Sequence, residues 1–248
     1  MTLAECTLES SISYPVTSGV SVIVPELDVP EPKLRSIDEI KKEFMKTVQD
    51  LSYSRHKWQV WQDFTELTAL SIAQTMGFSR KREEKYLQTI GRYEHDEAQL
   101  FPKLLTLTIE ALEVEYCDFL GQMFMELELG SKWHGQFFTP YHLCKMIAAM
   151  SVSGTDFEDE KIVTMNEPAA GSGSMIISLC EYLWEQGINF QQQLKVVAQD
   201  NDYVAAYMCY IQLSLIGCNA AVIYGNTLKM ECREQWITPM AVLRGWIS

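Results

Sequence analysis

Apolar residues recur along this chain at two different spacings, and the change from one to the other divides it. From Ser36 onward Ile37, Ile40, Phe44, Val48 and Leu51 fall three or four positions apart, the period of a helix with one buried face. The run opens on Ser36 with Glu39 three positions later, a pairing that satisfies the first free N–H groups of a helix reciprocally. A second helix is predicted over 56–76, with Trp58, Trp61, Phe64, Leu67, Leu70 and Ile72 on its apolar side and Gly77 closing it. "SRKREEKYLQTI" starts a third at Ser79, and two more are predicted over 96–115 and 116–129, ending at Gly130.

After residue 160 the pattern becomes strand, loop, helix, repeated. "KIVTMN" (161–166), "LKVVAQ" (194–199) and "AAVIYG" (220–225) read as short buried strands. "SMIISLCEYLWEQG" (174–187) and "YVAAYMCYIQLSLIG" (203–217) read as helices ended by Gly187 and Gly217. Strands alternating with helices of this length imply an α/β fold built of right-handed βαβ units, its parallel sheet covered on both faces. Residues 1–34 follow neither period. They hold Pro15, Pro25, Pro30 and Pro32 around a β-branched run. Proline fixes its own φ and pushes the preceding residue towards extended conformations, so an extended arm is expected here. It would pack on the body, add an edge strand or dock on a partner. The predicted organisation is an arm over 1–34, a helical region over 35–130 and an α/β domain over 131–248.

Composition narrows the functions. Lys and Arg total 20 against 33 Asp and Glu, a formal charge of −13, so the average surface repels a polyanion and any nucleic-acid role needs a local basic patch or a partner chain. Arg80, Lys81, Arg82, Lys85 and Arg92 form a basic cluster, but Glu83 and Glu84 interrupt it, which favours a solvated helix face. The seven cysteines are an odd number with no Cys-x-x-Cys pair, against both a disulfide framework and a zinc site, and no metal is expected. No signal sequence opens the chain and no run of about 18 apolar residues occurs, so a reduced, cytoplasmic protein without a membrane partner is the expectation.

The candidate chemistry gathers at the strand ends, where α/β sheets bind ligands near the point at which strand order reverses. "NEPAAGSGSM" (166–175) follows the first strand and opens a helix. Gly171 and Gly173 lack a Cβ, so the chain can turn sharply and let a ligand approach its backbone beside the free N–H groups of a helix start. Gly-Ser-Gly is also a common loop. The second strand ends in Asp200, placed to accept hydrogen bonds from two ribose hydroxyls or to cap the next helix, a task Asp202 could perform equally well. The third ends in Asn226, with donor and acceptor at the same rim. The glycines fit neither the dinucleotide fingerprint nor a phosphate-binding loop, and an acidic residue opening the loop suits a cationic amino group.

At this point the chain resembles a known family. "NEPAAGSGSM" is similar to the first cofactor motif, Asp/Glu-Pro-Ala-x-Gly-Ser-Gly, of the DNA methyltransferases that modify the adenine amino group, above all the modification subunits of type I restriction systems. "GQFFTPYHLCKMIAAM" (135–150) resembles that family's upstream cofactor motif. The resemblance covers roughly 135–228 and implies a Rossmann-like methyltransferase sheet, preceded by a helical region, that binds S-adenosylmethionine. Glu167 would meet the methionine amino group, and the backbone from Pro168 and Ala169 through Gly171, Ser172 and Gly173 would line the cofactor. Asp200 would hold the ribose, Asn201 would lie beside the adenine ring and Asn226 near its amino group. Phe138, Thr139 and Pro140 would bound the methionine side; plain core packing is the competing role for one of Phe137 and Phe138.

The family transfers the methyl group with a further motif, Asn/Asp-Pro-Pro-Tyr/Phe, one strand later. Its polar group and prolyl carbonyl receive the target amino group while its ring stacks on a flipped base. This sequence has no Pro-Pro, and only Pro239 follows the glycine loop, so no catalytic residue is identified. The tail "KMECREQWITPMAVLRGWIS" does not read as that strand cut short. It suits a natural short form at least as well as a fragment, with Trp236, Pro239 and Trp246 packing back as a cap. Two functions follow. One is methyl transfer to DNA with a partner, such as other restriction-modification subunits, supplying recognition and acceptor contacts. The other is a catalytically inactive methyltransferase fold acting as a regulatory, anti-restriction or assembly partner, with itself as a homo-oligomer or with a restriction complex.

Overall fold

A computed structural model describes residues 35–129, 139–152 and 161–246. The predicted arm over 1–34, together with Phe137 and Phe138, lies outside them. Six helices come first: α1 (Ile37–Leu51), α2 (Lys57–Thr75), α3 (Arg80–Ile90), α4 (His95–Ala98), α5 (Leu100–Val114) and α6 (Phe119–Glu126). After α7 (Tyr141–Ser151) the chain alternates through β1 (Val163–Glu167), α8 (Ser174–Glu185), the single turn α9 (Phe190–Gln193), β2 (Leu194–Asp200), α10 (Tyr203–Leu215) and β3 (Ala220–Tyr224). It closes with β4 (Glu234–Ile237) and α11 (Pro239–Leu243).

The reciprocal cap at α1 forms as its sequence requires. Ser36 Oγ accepts from Glu39 N at 3.3 Å while Ser36 N donates to the Glu39 carboxylate at 2.9 Å. The buried stripe that follows meets α2, whose Val60, Trp61, Phe64, Leu67 and Leu70 are all in the core. Phe44 is fully buried, its ring edge-to-face with Trp61, Phe64 and Phe119 at 6.0, 5.7 and 5.2 Å. α2 is enclosed on most of its circumference because α1, α3, α5 and α10 all pack on it. That is why it buries Asp63, which accepts from Tyr93 Oη at 2.7 Å and Gln59 Nε2 at 3.0 Å and pairs with Arg92 at 3.3 Å.

The basic cluster around α3 is largely turned to internal use. Arg80 pairs with Glu84 one helical turn on at 2.9 Å, and Arg82 donates to the Gly77 carbonyl and to Gln74. Lys85 bridges Glu66 of α2, at 2.7 Å, and the Tyr207 hydroxyl of α10, at 3.1 Å.

The sheet has the order β1-β2-β3-β4, with the first three strands parallel and β4 antiparallel to β3. Its three parallel strands are the βαβαβ half of a Rossmann-like fold. β1 to β2 and β2 to β3 step in the same direction, so right-handed crossovers put α8 and α10 on the same face. Contacts agree: Tyr203 of α10 meets Tyr224 of β3, and Tyr207 and Tyr210 meet Trp236 of β4 at 5.1 and 5.4 Å. The helical region adds a further layer over α10 through α2 and α6.

Two expectations are corrected here. The sheet is not covered on both faces among the described residues: Thr164 and Asn166 are exposed on the side away from α10, Val197 and Ile223 are half-buried, and Trp246 reaches only as far as Lys195, 5.9 Å from ring centre to Nζ. Strand order also does not reverse among the described strands, and β1 is an edge. A groove of about 430 Å³ runs beside it, between Ile147 and Val152 of the α7 end, Met165 of β1 and Leu183 of α8, and reaches Glu167. The tail packs back as expected, but it does so partly as the strand β4. Trp236 faces inward, and Thr238 Oγ1 accepts from Ala220 N at 3.0 Å and donates to the Cys218 carbonyl at 2.7 Å.

Phe44→Ala is expected to lower the unfolding free energy by about 3–5 kcal/mol. Thr164→Ala, on the uncovered face, should change it by no more than about 0.5 kcal/mol. Urea titration of both variants checks the contrast.

Candidate cofactor site

The loop between β1 and α8 carries its glycines in the left-handed region, Gly171 at φ 55° and Gly173 at φ 98°, where a Cβ is strained. Gly173 has a second constraint, since a Cβ there would come within 3.2 Å of Cys209 Sγ on α10. The loop is bonded at nearly every step. Ala169 N donates to Glu167 Oε1 at 3.2 Å, Ala170 N to the Gln199 carbonyl at 2.9 Å, and Gly173 N to the Ala170 carbonyl at 2.9 Å. The Thr227 hydroxyl, beyond β3, donates to the Pro168 carbonyl at 2.7 Å and so ties the first strand tip to the third.

Asp200 stands at the centre of the rim. Its Oδ2 accepts from Gly171 N at 2.8 Å and its Oδ1 from Asp202 N at 2.8 Å, while its backbone carbonyl accepts from Gly225 N at 2.8 Å. Burial pushes its carboxyl above the usual carboxylate range, against the pull of the backbone N–H groups of Asp202, Gly171 and Asn201. The cap of α10 is Asp202, which accepts from Ala205 N at 2.9 Å, so Asp200 is not spent as a helix cap. A carboxylate has about four lone-pair sites, so these backbone N–H groups leave room for a further donor.

The remaining predicted residues are placed unequally. Glu167 ends β1, half-buried beside the loop. Asn201 is exposed and accepts from Arg233 at 3.2 Å, and the Arg233 guanidinium lies over the Tyr224 ring. Asn226 Oδ1 caps the turn Thr227–Lys229, accepting from Lys229 N at 3.1 Å with one of its two lone pairs. Thr139 and Pro140 are exposed at the start of α7. They are drawn to the glycine loop through Cys144, whose Sγ lies 3.7 Å from the Thr139 carbonyl and 3.3 Å from Ser174 Oγ. Tyr141 and Lys145 clasp Glu181 of α8, each at 2.8 Å, and fix that approach. Phe138 lies outside the described residues.

Ser172, whose backbone is predicted to line the cofactor, uses its side chain elsewhere. It has no exposed surface, and its hydroxyl points into the protein and donates to Asp118 Oδ2 at 2.5 Å. Asp118 caps α6 through Gly121 N at 3.0 Å and accepts from Gln212 Nε2 at 2.9 Å. Gln212 donates also to the Ser172 carbonyl at 2.8 Å and accepts from Leu120 N at 2.9 Å. The sequence expectations do not include Asp118, Gln212 or Thr227. A signal existed for one of them, a lone amide in the otherwise apolar "YVAAYMCYIQLSL" of α10.

Bare backbone, a carboxylate with an open lone pair and a second carboxylate at the loop start form one rim over β1, β2 and β3. Such a set can receive a nucleoside's diol and a cationic group. Among the described residues no group of His, Cys, Asp and Glu is arranged to hold a metal ion, and no helix is long and apolar enough to cross a membrane.

The sequence profile of the N-6 DNA methylase family matches residues 117–242, just over half of the chain. The chain is 33% identical over 107 residues to the type I restriction enzyme MjaIX methylase subunit of Methanocaldococcus jannaschii, which is 43% of this chain and 17% of that protein. It thus spans well under two thirds of that relative. Among solved structures it is similar to a class I S-adenosylmethionine-dependent methyltransferase of Listeria monocytogenes, with 13% identity and a TM-score of 0.45 over 77% of this chain and 55% of that one. It is also similar to the type I restriction-modification methyltransferase subunit of Streptococcus thermophilus, with 10% identity and a TM-score of 0.37 over 74% and 57%. The profile match begins one residue before Asp118 and ends in α11, taking in the glycine loop and all three strand tips: the chain belongs to the N-6 DNA methylase family, whose cofactor is S-adenosylmethionine.

Proposed function

We propose that this chain is the cofactor-holding part of an adenine-directed DNA methyltransferase. It binds S-adenosylmethionine across the tips of β1, β2 and β3, and a partner chain brings the DNA and completes the acceptor side. The observation that carries this reading is the bond from Gly171 N to Asp200 Oδ2, which makes the bare loop and the ribose acceptor one unit.

The donor set fits the cofactor. Glu167 is placed for the methionine ammonium, and the backbone from Pro168 to Gly173 for the body of the ligand. Asp200 offers its remaining lone pair to a ribose hydroxyl, and Thr139 and Pro140 close the methionine side. Asn201 and Asn226 fit less well, since one is engaged by Arg233 and the other caps a turn; their share is rim polarity near the adenine. The bound cofactor supplies an electrophilic methyl group on a sulfonium. This chain's residues hold and orient it, and positioning of that kind is a large part of any transfer rate.

The charge of −13 supports DNA delivery by a partner, because neutralising phosphates takes a basic surface. The Methanocaldococcus relative is the methylase subunit of a type I restriction enzyme, which supports assembly with the other subunits of such a system.

Calorimetry with S-adenosylmethionine should show binding that Asp200→Ala weakens by about 10- to 100-fold, the worth of hydrogen bonds to a charged group. Because the Asp200 carboxyl is raised by burial and its ionised form is the stronger acceptor for a ribose hydroxyl, affinity should fall on acidification beginning above the usual carboxylate range; in Asp200→Asn that pH dependence should vanish. Tritiated cofactor should label DNA when type I recognition subunits are added. Cofactor binding without labelled DNA under every partner combination would leave the regulatory role instead.

A further inference from the structure

Two left-handed glycines within three residues give the loop more backbone freedom than a ligand site can use, so something must hold it in one shape. Asp200 does this at Gly171, from the sheet side. The other anchor comes from outside the βαβ unit. Asp118, only 3% exposed, stands before α6 in the helical region and accepts from Ser172 Oγ at 2.5 Å, from Gly121 N at 3.0 Å and from Gln212 Nε2 at 2.9 Å. Gln212 returns to the same loop residue by donating to the Ser172 carbonyl at 2.8 Å. Ser172 is therefore held by side chain and main chain together, between the two glycines.

The approach of α6 to the loop is close enough to dictate a residue. A Cβ on Gly121 would fall 2.2 Å from Asp118 Oδ2 and 2.5 Å from Ser172 Oγ. Both N–H donors of the Gln212 amide are used, on Asp118 and Ser172, and its oxygen accepts from Leu120 N. A satisfied buried network of this kind rigidifies what it joins.

We propose that Asp118 is a positioning residue for the cofactor loop: through Ser172 Oγ, and through Gln212 on the Ser172 carbonyl, it holds the backbone of Gly171–Gly173 in its binding shape, so that cofactor affinity depends on the helical region although no residue of that region touches the cofactor. The proposal rests on the cofactor reading of the loop. It also makes the docking of α6 a point at which a partner seated on the helical region would change cofactor affinity.

The test uses the whole chain and S-adenosylhomocysteine as probe. Ser172→Ala removes one hydroxyl and nothing else; Asp118→Ala removes the anchor. Each is expected to weaken binding about tenfold, with the double variant no weaker than either single one, because both remove the same coupling. Amide exchange across 169–174, measured without ligand, should speed up in both. Asp118→Asn keeps an acceptor for Gly121 N and Gln212 and a donor for Ser172 Oγ, so it should restore affinity to within about threefold of the original chain. Val48→Ala, a buried change in α1 remote from the loop, should lower the melting temperature without altering affinity or loop exchange. Unchanged exchange over 169–174 in Ser172→Ala, or a loss of affinity matched by Val48→Ala, would overturn the proposal. Should the original chain bind no S-adenosylhomocysteine, the cofactor reading falls, while the exchange measurement still decides whether Asp118 holds the loop.

Discussion

The hydrogen bond from the Ser172 hydroxyl to the Asp118 carboxylate, 2.5 Å long and closed off from solvent, is the constraint on which the site rests. Its three donors, Ser172, Gly121 N and Gln212, are all neutral. Burial without a cation pushes the carboxyl above the usual carboxylate range, and the same three hydrogen bonds oppose that rise. A buried acid left unpaired costs several kcal/mol. The arrangement is stable because every polar atom in it has a partner, and removing any one leaves the others unsatisfied. Local sequence cannot build such a network. It requires α6, the glycine loop and α10 to arrive at one point from three distant parts of the chain.

That meeting follows from the topology. Stepping from β1 to β2 to β3 in one direction stacks α8 and α10 on one face of the sheet. α10 is then covered by the sheet below and by α2 and α6 above, which is why Val204–Leu213 is buried without a break. A helix apolar all round belongs in a core, and the helical region provides the second wall of that core. Aromatic contacts on both sides hold α10 there: Tyr203, Tyr207 and Tyr210 towards β3 and β4, and the Lys85–Tyr207 contact towards α3. The opposite face is covered only in part among the described residues, at Ala221 of β3 where α11 packs, and Thr164 and Asn166 of β1 are exposed on it. The candidate rim lies across the tips of β1, β2 and β3, with β1 at the edge of the described sheet.

Much of this was legible in the residues. Helical periodicity, the Ser36–Glu39 cap and the glycine stops placed most elements to within a few positions, and the alternation after residue 160 placed the three parallel strands. The periodicity predicts one helix where the structure has two adjoining pieces, α4 and α5, because the single residue Gln99 between them breaks no hydrophobic period. For β4 the sequence predicts only a packed-back cap, since four residues show too little alternation to declare a strand. At the site, Gly171, Gly173, Glu167 and Asp200 lie together at the strand tips as the motif implied. Ser172 was read for its position between two glycines, yet its side chain turns inward. Asn226, a predicted ligand contact, also caps the turn Thr227–Lys229.

What the sequence determined by itself was therefore the local order: where backbone must bend, which residues end the strands, and that an acidic side chain stands at the tip of the second one. Those follow from φ preferences, capping and periodicity, which act over a few residues. What only the tertiary structure decided was direction: which way Ser172 points, that Asp200 clasps Gly171 while Asp202 caps α10, and that among the described residues one face of the sheet is buried under two layers and the other covered only in part. These depend on contacts between residues as far apart as Asp118 and Gln212, and hydrogen-bond partners at that separation are chosen by how the layers pack.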